Sequence, residues 1–282
     1  MLALYLNFAF ICLVSSVLGR PARLIGNLKA RVEPDKSSDG NAWKPLYDGH
    51  ETFVSEMKSK NPGLLENLAD KGQHPNFVVI SCADSRVAPE TVFSTLPGTI
   101  FSERVVANQF DANDDHGDIG IYYALEHLHA HHVVVMGHYG CGGVAAAIAS
   151  PPSEPISEAD QEIQEWIKPI RDIYASSDRE EIAEFRKKTQ GNENIGQPEL
   201  HDPAFRALVE ENVKKNVLNV GNSEFVQKLW KNSKNSPVFV YGLVYDIENG
   251  DVFDLEVTMG PHGVSPPPSP FPAVLKALKS RS

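Results

Sequence analysis

Short apolar runs rich in β-branched residues alternate along this chain with stretches in which apolar side chains recur every three or four positions. "FVVIS" (77–81) and "HVVVM" (132–136) read as strands covered on both faces, the pattern of a parallel sheet, and "TIFSERVVA" (99–107) supplies a further strand. Ahead of them, Trp43, Leu46, Tyr47, Phe53, Val54, Met57, Leu64, Leu65 and Leu68 keep helical spacing, broken at Asn61-Pro62, which predicts two amphipathic helices. Between the strands, Ile121, Leu125 and Leu128 stripe a helix for which Asp118 is a plausible N-cap. Downstream, residues 157–232 read as helices: "EADQEIQEWIKPIRDIYA", a charged stretch with Gly and Asn near 190–197, then "PAFRALVEENVKKNVLNV" and "SEFVQKLW". Two last apolar runs, "PVFVYGLVYDI" and "DVFDLEV", flank Glu248-Asn249-Gly250, a hairpin signal. The tail "GPHGVSPPPSPFP" should be extended. Strand, helix and strand in repetition imply right-handed crossovers and an α/β fold: a central, mainly parallel sheet flanked by helices, with an N-terminal helical arm and a C-terminal hairpin and extended tail.

Composition narrows the function. A chain of 282 residues that is 41% hydrophobic can bury one substantial core. Its net charge of −11 argues against nucleic acid or an anionic membrane surface as partner and directs attention to a small-molecule site. Residues 1–19 carry no charged side chain and hold an apolar core from Phe8 to Leu18, the pattern of a secretory signal cleaved before Arg20, leaving no membrane attachment. The same segment is just long enough for an anchor, and Arg20, Arg23, Lys29 and Arg31 ahead of the first acid, Glu33, also suit mitochondrial import. Residues 20–42 read as a mobile arm, 43–260 as the folded domain and 261–282 as a proline-rich tail.

Removing the leader removes Cys12 and leaves Cys82 and Cys141. Cys82 lies one residue past the strand at 77–81, and "GHYGCGG" (137–143) opens directly after the strand at 132–136. Side chains just beyond the carboxyl ends of neighbouring parallel strands converge on the ligand crevice, so Cys82, His138 and Cys141 should meet. Two thiolates and an imidazole suit one zinc ion per chain, with a fourth position left for water; a Cys82–Cys141 disulfide is the plainer alternative. The glycines of this turn, Gly142 among them, free amide donors at the start of a helix. Asp84 could bind the metal itself or accept from the water there, and the planar fork of Arg86 can hold it off the metal.

"CADSRVAPE" together with "GHYGCGGV" resembles the β-class carbonic anhydrases, and the similarity extends from about Trp43 to Val257. The resemblance implies reversible hydration of CO2 to bicarbonate and a proton by zinc-activated water, and a homodimer or dimer of dimers with active sites at the subunit interface. It makes Cys82, His138 and Cys141 the zinc ligands and Asp84 with Arg86 the catalytic dyad. Gln73, Phe101, Tyr123 and Gly142 become the substrate-binding positions, the two aromatics reaching the pocket in part from the neighbouring subunit. Val105 and Glu103 depart from the family's usual pattern, and residues 177–200 look like an insertion. Two rivals share the site: hydrolysis of CS2 or COS, and a binding scaffold in which zinc is structural. The histidines at 127, 129, 131 and 132 read as a solvent-facing helix end, and the calcium-loop likeness of "DANDDHGD" is rejected because His116 stands at the turn-glycine position. His116 is a proton-shuttle candidate by position alone.

Overall fold

A computed structural model describes residues 42–111, 119–232 and 237–274. The expected leader, nearly all of the arm, the Asp118 cap and His116 lie outside those residues. The chain divides into two units, residues 1–48 and 49–282, and of the first only 42–48 are described.

Two helices precede the sheet, α1 (Lys44–Lys60) and α2 (Leu64–Lys71). They are parted at Asn61-Pro62, where proline cannot continue the hydrogen-bond ladder and Gly63 turns the chain at φ 80°. There follow β1 (Phe77–Cys82), α3 (Pro89–Val92), β2 (Ile100–Val105), a 3-10 turn over Val106–Asn108, α4 (Ile119–Glu126), β3 (His132–His138) and α5 (Gly142–Ile148). The second half holds α6 (Glu158–Trp166), α7 (Lys168–Ser176), α8 (Glu180–Thr189), α9 (Pro203–Asn222), α10 (Glu224–Asn232), β4 (Phe239–Tyr245) and β5 (Val252–Met259).

The strands form one sheet in the order β2-β1-β3-β4-β5, parallel except for the antiparallel edge strand β5. β1 and β3 bury every residue but their first, as their unbroken apolar sequences require. On one face Val78, Ile80, Val133, Val135, Val240 and Val244 pack with residues of α4, α5, α7 and α9. On the other, Val79, Val134, Met136 and Leu243 meet Phe93 and Phe271, so part of the proline-rich tail lies against this face. The tail is held there by Asp254 N–H donating to Pro272 O at 2.9 Å.

Two local features differ from the periodicity. The single helix expected over 158–175 is two, because Pro169 sits in the first turn of α7 and Ile167 both ends α6 and caps α7. The charged stretch 177–200 contains α8, within the range read as helical. Among the four histidines, His127 and His129 are exposed, but His131 and His132 are half-buried, and His132 opens β3 stacked on Phe77. The hairpin forms where Asn-Gly announced it, with Gly250 at φ 80°. No helix among the described residues is long and apolar enough to cross a membrane.

Candidate active site

The strand order places β2 on one side of β1 and β3 on the other, so the connections diverge and leave a crevice beyond the carboxyl ends of β1 and β3. β1 ends on Cys82 and β3 on His138. Three residues later Cys141 caps α5, after a tight turn at Gly140, whose φ of 76° suits glycine. A Cβ there would lie 2.9 Å from both Leu200 and Ile247. One ligand atom from each of Cys82, His138 and Cys141 lies within 4.8 Å of the other two, and all three residues are buried. Both cysteines are free thiols, so the disulfide alternative is not realised.

The donor set fits a metal. His138 Nδ1 donates to the Tyr139 carbonyl at 3.0 Å, which fixes the tautomer and leaves Nε2 as a buried lone pair without a hydrogen-bond partner. A buried polar atom left unpaired costs roughly 1–3 kcal/mol, and a cation is the partner that two sulfurs and an imidazole select. The thiol of Cys141 holds Cys82 down at about 4 against its own burial, with His138 adding to the effect. The same pairing and burial push Cys141 up, so the second proton leaves only when a cation arrives.

Beside this triad, Asp84 is clamped by Arg86. Arg86 Nε donates to Oδ1 at 2.9 Å and Nη2 to Oδ2 at 2.6 Å, and the Arg86 backbone N–H adds a third bond to Oδ1 at 2.9 Å. These bonds hold the carboxyl at about 2, ionised throughout the physiological range. Asp84 Oδ2 lies 3.9 Å from His138 Nε2, close to the ligand atoms while both its oxygens are taken up by Arg86. Arg86 also reaches the Gly140 carbonyl at 3.3 Å, tying the two halves of the site together.

Of the remaining predicted residues, Phe101 does not reach the cluster within its own chain. Phe101 pairs with Val78, four residues short of Cys82, or roughly 13 Å along the strand. Its ring lies 6.1 Å from that of Tyr123, so these two aromatics do belong together. Gln73 is exposed and precedes β1, which puts Cys82 roughly 17 Å from Phe77 at the start of the strand. Gly142, by contrast, opens α5 beside Cys141 with open space where a side chain would be.

Several supporting residues escaped the sequence reading. Arg104 donates from Nε to the Cys82 carbonyl at 3.2 Å and from Nη2 to the Asp84 carbonyl at 2.6 Å, bracing the loop that carries both groups. Behind the ligand turn, Tyr139 donates to Glu210 at 2.7 Å, Arg206 stacks 3.4 Å over its ring, and Arg179 pairs with Glu210 at 2.7 Å. Strand register carries the signal for Arg104, which stands opposite Ser81. Arg206 and Glu210 come from α9 and Arg179 from the N-cap of α8, and none of the three has a local signal.

The carbonic anhydrase family model matches residues 77–252. A carbonic anhydrase of Emericella nidulans is 30% identical over 212 residues, covering 75% of this chain and 82% of that protein. Among solved structures, a Coccomyxa β-carbonic anhydrase in complex with acetazolamide is 27% identical with a TM-score of 0.64, over 78% of this chain and 89% of that one. The β-carbonic anhydrase CafA of Aspergillus fumigatus is also 27% identical, with a TM-score of 0.61, over 84% of this chain and 95% of that one. Sequence, sheet topology and the Cys-His-Cys cluster agree, and the chain belongs to the carbonic anhydrase family, in its β class.

Proposed function

We propose that this site catalyses the reversible hydration of CO2 to bicarbonate and a proton. The observation that carries the reading is the buried Cys82–His138–Cys141 cluster beside an aspartate clamped by arginine. Zinc held by those three residues would supply the Lewis acidity that makes water nucleophilic near neutral pH. The chain's own groups do the rest. His138 offers Nε2 because Nδ1 is committed to the Tyr139 carbonyl. Asp84, kept ionised by Arg86, accepts a hydrogen bond from the attacking water and orients it without taking its proton permanently. The open space at Gly142 leaves room for substrate next to Cys141.

CO2 has no charge to anchor it, so its slot should be apolar. Phe101 and the Tyr123 ring beside it stand well away from Cys82 in their own chain, which favours a homodimer in which these two, with Gln73, serve the site of the partner copy. The apolar segment 1–19 supports export, tested by sequencing the N-terminus of protein recovered outside the producing cell. The deciding experiment is stopped-flow CO2 hydration with zinc quantified in the same sample. One zinc per chain and a rate dependent on it is the expected result. Bound zinc with no hydration at any pH would defeat the reading, and CS2 would be the next substrate assayed.

A further inference from the structure

α9 sends two buried asparagines to the turn after β2. Asn212 and Asn216 are 1% and 3% exposed, and amides so placed need partners. Asn212 Nδ2 donates to the Ala107 carbonyl at 2.9 Å. Asn216 Nδ2 donates to the backbone carbonyl and to Oδ1 of Asn212, at 2.9 and 3.1 Å, while its own Oδ1 accepts from Phe110 N–H at 2.8 Å. The two amides therefore brace the turn after β2 at both ends.

That turn is unusual. Ala107 and Asn108 have φ of 56° and 48°, in the left-handed region that residues with a Cβ avoid, and both are buried. Backbone of this kind persists only where its surroundings over-determine it. Its consequence is that Ala107 N–H donates to Cys82 Sγ at 3.3 Å. The Asn108 side chain meanwhile fits against Gly137, where a Cβ would come within 3.3 Å of its Oδ1.

We propose that Asn212 is a positioning residue for the metal centre: it holds the left-handed turn at Ala107 so that this amide donates to the Cys82 sulfur. The inference rests on the reading of Cys82, His138 and Cys141 as zinc ligands. An amide donated to a ligating sulfur draws off part of its charge, which stabilises the thiolate against its proton, and holds the sulfur in place; losing such a support weakens metal binding.

The test compares wild type with Asn212→Ala, using zinc affinity by chelator competition and the sulfur-to-metal charge-transfer band of the cobalt-substituted protein. Affinity should fall about tenfold or more, and the band should move to lower energy because the sulfur becomes more electron-rich. Adding Ala107→Gly should restore much of both, since glycine adopts the turn without the tether. Wild-type affinity and an unshifted band in Asn212→Ala would overturn the inference, as would a loss that Ala107→Gly leaves untouched. If Asn212→Ala does not fold, the wild type loaded with cadmium-113 decides: a through-bond coupling between the metal and the Ala107 amide proton is expected, and its absence overturns the role. A wild type that binds no zinc would defeat the metal reading itself, an outcome distinct from a zinc-loaded wild type indistinguishable from the variant.

Discussion

Replacing Glu210 with alanine probes the buried network behind the ligand turn. Glu210 is 5% exposed, accepts the Tyr139 hydroxyl at 2.7 Å and pairs with Arg179 at 2.7 Å. Burial, and then the Glu210 carboxylate, push the Tyr139 phenol up, so it stays protonated and remains a donor. In Glu210→Ala that hydroxyl is left buried without its acceptor, which costs roughly 1–3 kcal/mol. Breaking a fully buried ion pair costs about 3–5 kcal/mol. Arg179, however, is 23% exposed and keeps Glu181 and Glu211 at 3.2 Å each. The ion-pair share therefore falls to about 1 kcal/mol, the scale of a solvated pair. The expected total is roughly 3 kcal/mol. Tyr139→Phe keeps the ring under Arg206 and the Glu210–Arg179 pair but leaves Glu210 Oε1 without its donor, and should cost roughly 2 kcal/mol. Urea unfolding of the metal-free protein measures both without the added stability that a bound ion confers. Glu210→Ala should lower the midpoint by roughly one and a half times as much as Tyr139→Phe. Equal losses, or the reverse order, would refute the view that Glu210 satisfies two buried partners at once.

Three further outcomes follow from the site. Asp84→Ala should retain the metal, because its oxygens are held by Arg86, but lose CO2 hydration by about a hundredfold or more, whereas Cys141→Ser should lose the metal; paired zinc and rate measurements separate the two. Arg104→Met strips the donors from the Cys82 and Asp84 carbonyls and should lower metal affinity or rate roughly tenfold with the circular dichroism spectrum unchanged; wild-type values would show that the loop needs no brace. Peroxide should join Cys82 to Cys141, whose sulfurs lie within 4.8 Å, and release zinc in step with the loss of two thiols, reversibly on treatment with dithiothreitol. Zinc retained after both thiols are lost would contradict their role as ligands.

Much of the sheet was legible because buried parallel strands leave a simple trace. Val78–Ile80 and Val133–Met136 cannot face solvent on either side, so their runs announce β1 and β3. The metal cluster was legible for a related reason: Cys82, His138 and Cys141 all fall at or just past strand ends, where the α/β topology gathers side chains. Other elements left a weaker trace. The break between α6 and α7 turns on one proline, within a periodicity that runs through it. The 20 residues of α9 bury Glu210, Asn212 and Asn216 among its apolar positions, so polar residues that support the site look, in sequence, like an ordinary solvated helix face.

What the sequence by itself determined was therefore the class of fold and the ligand set, since both depend on local pattern: alternation, β-branching, glycines at a turn, and reactive side chains at fixed offsets from strands. Tertiary structure alone decided which distant groups complete the centre. The tether from Asn212 to Ala107, the brace from Arg104 and the link from Glu210 to Tyr139 join residues 105, 22 and 71 positions apart. Their partners are set by strand register and by the docking of α9 on the sheet, which are properties of the whole packed core and of no single segment.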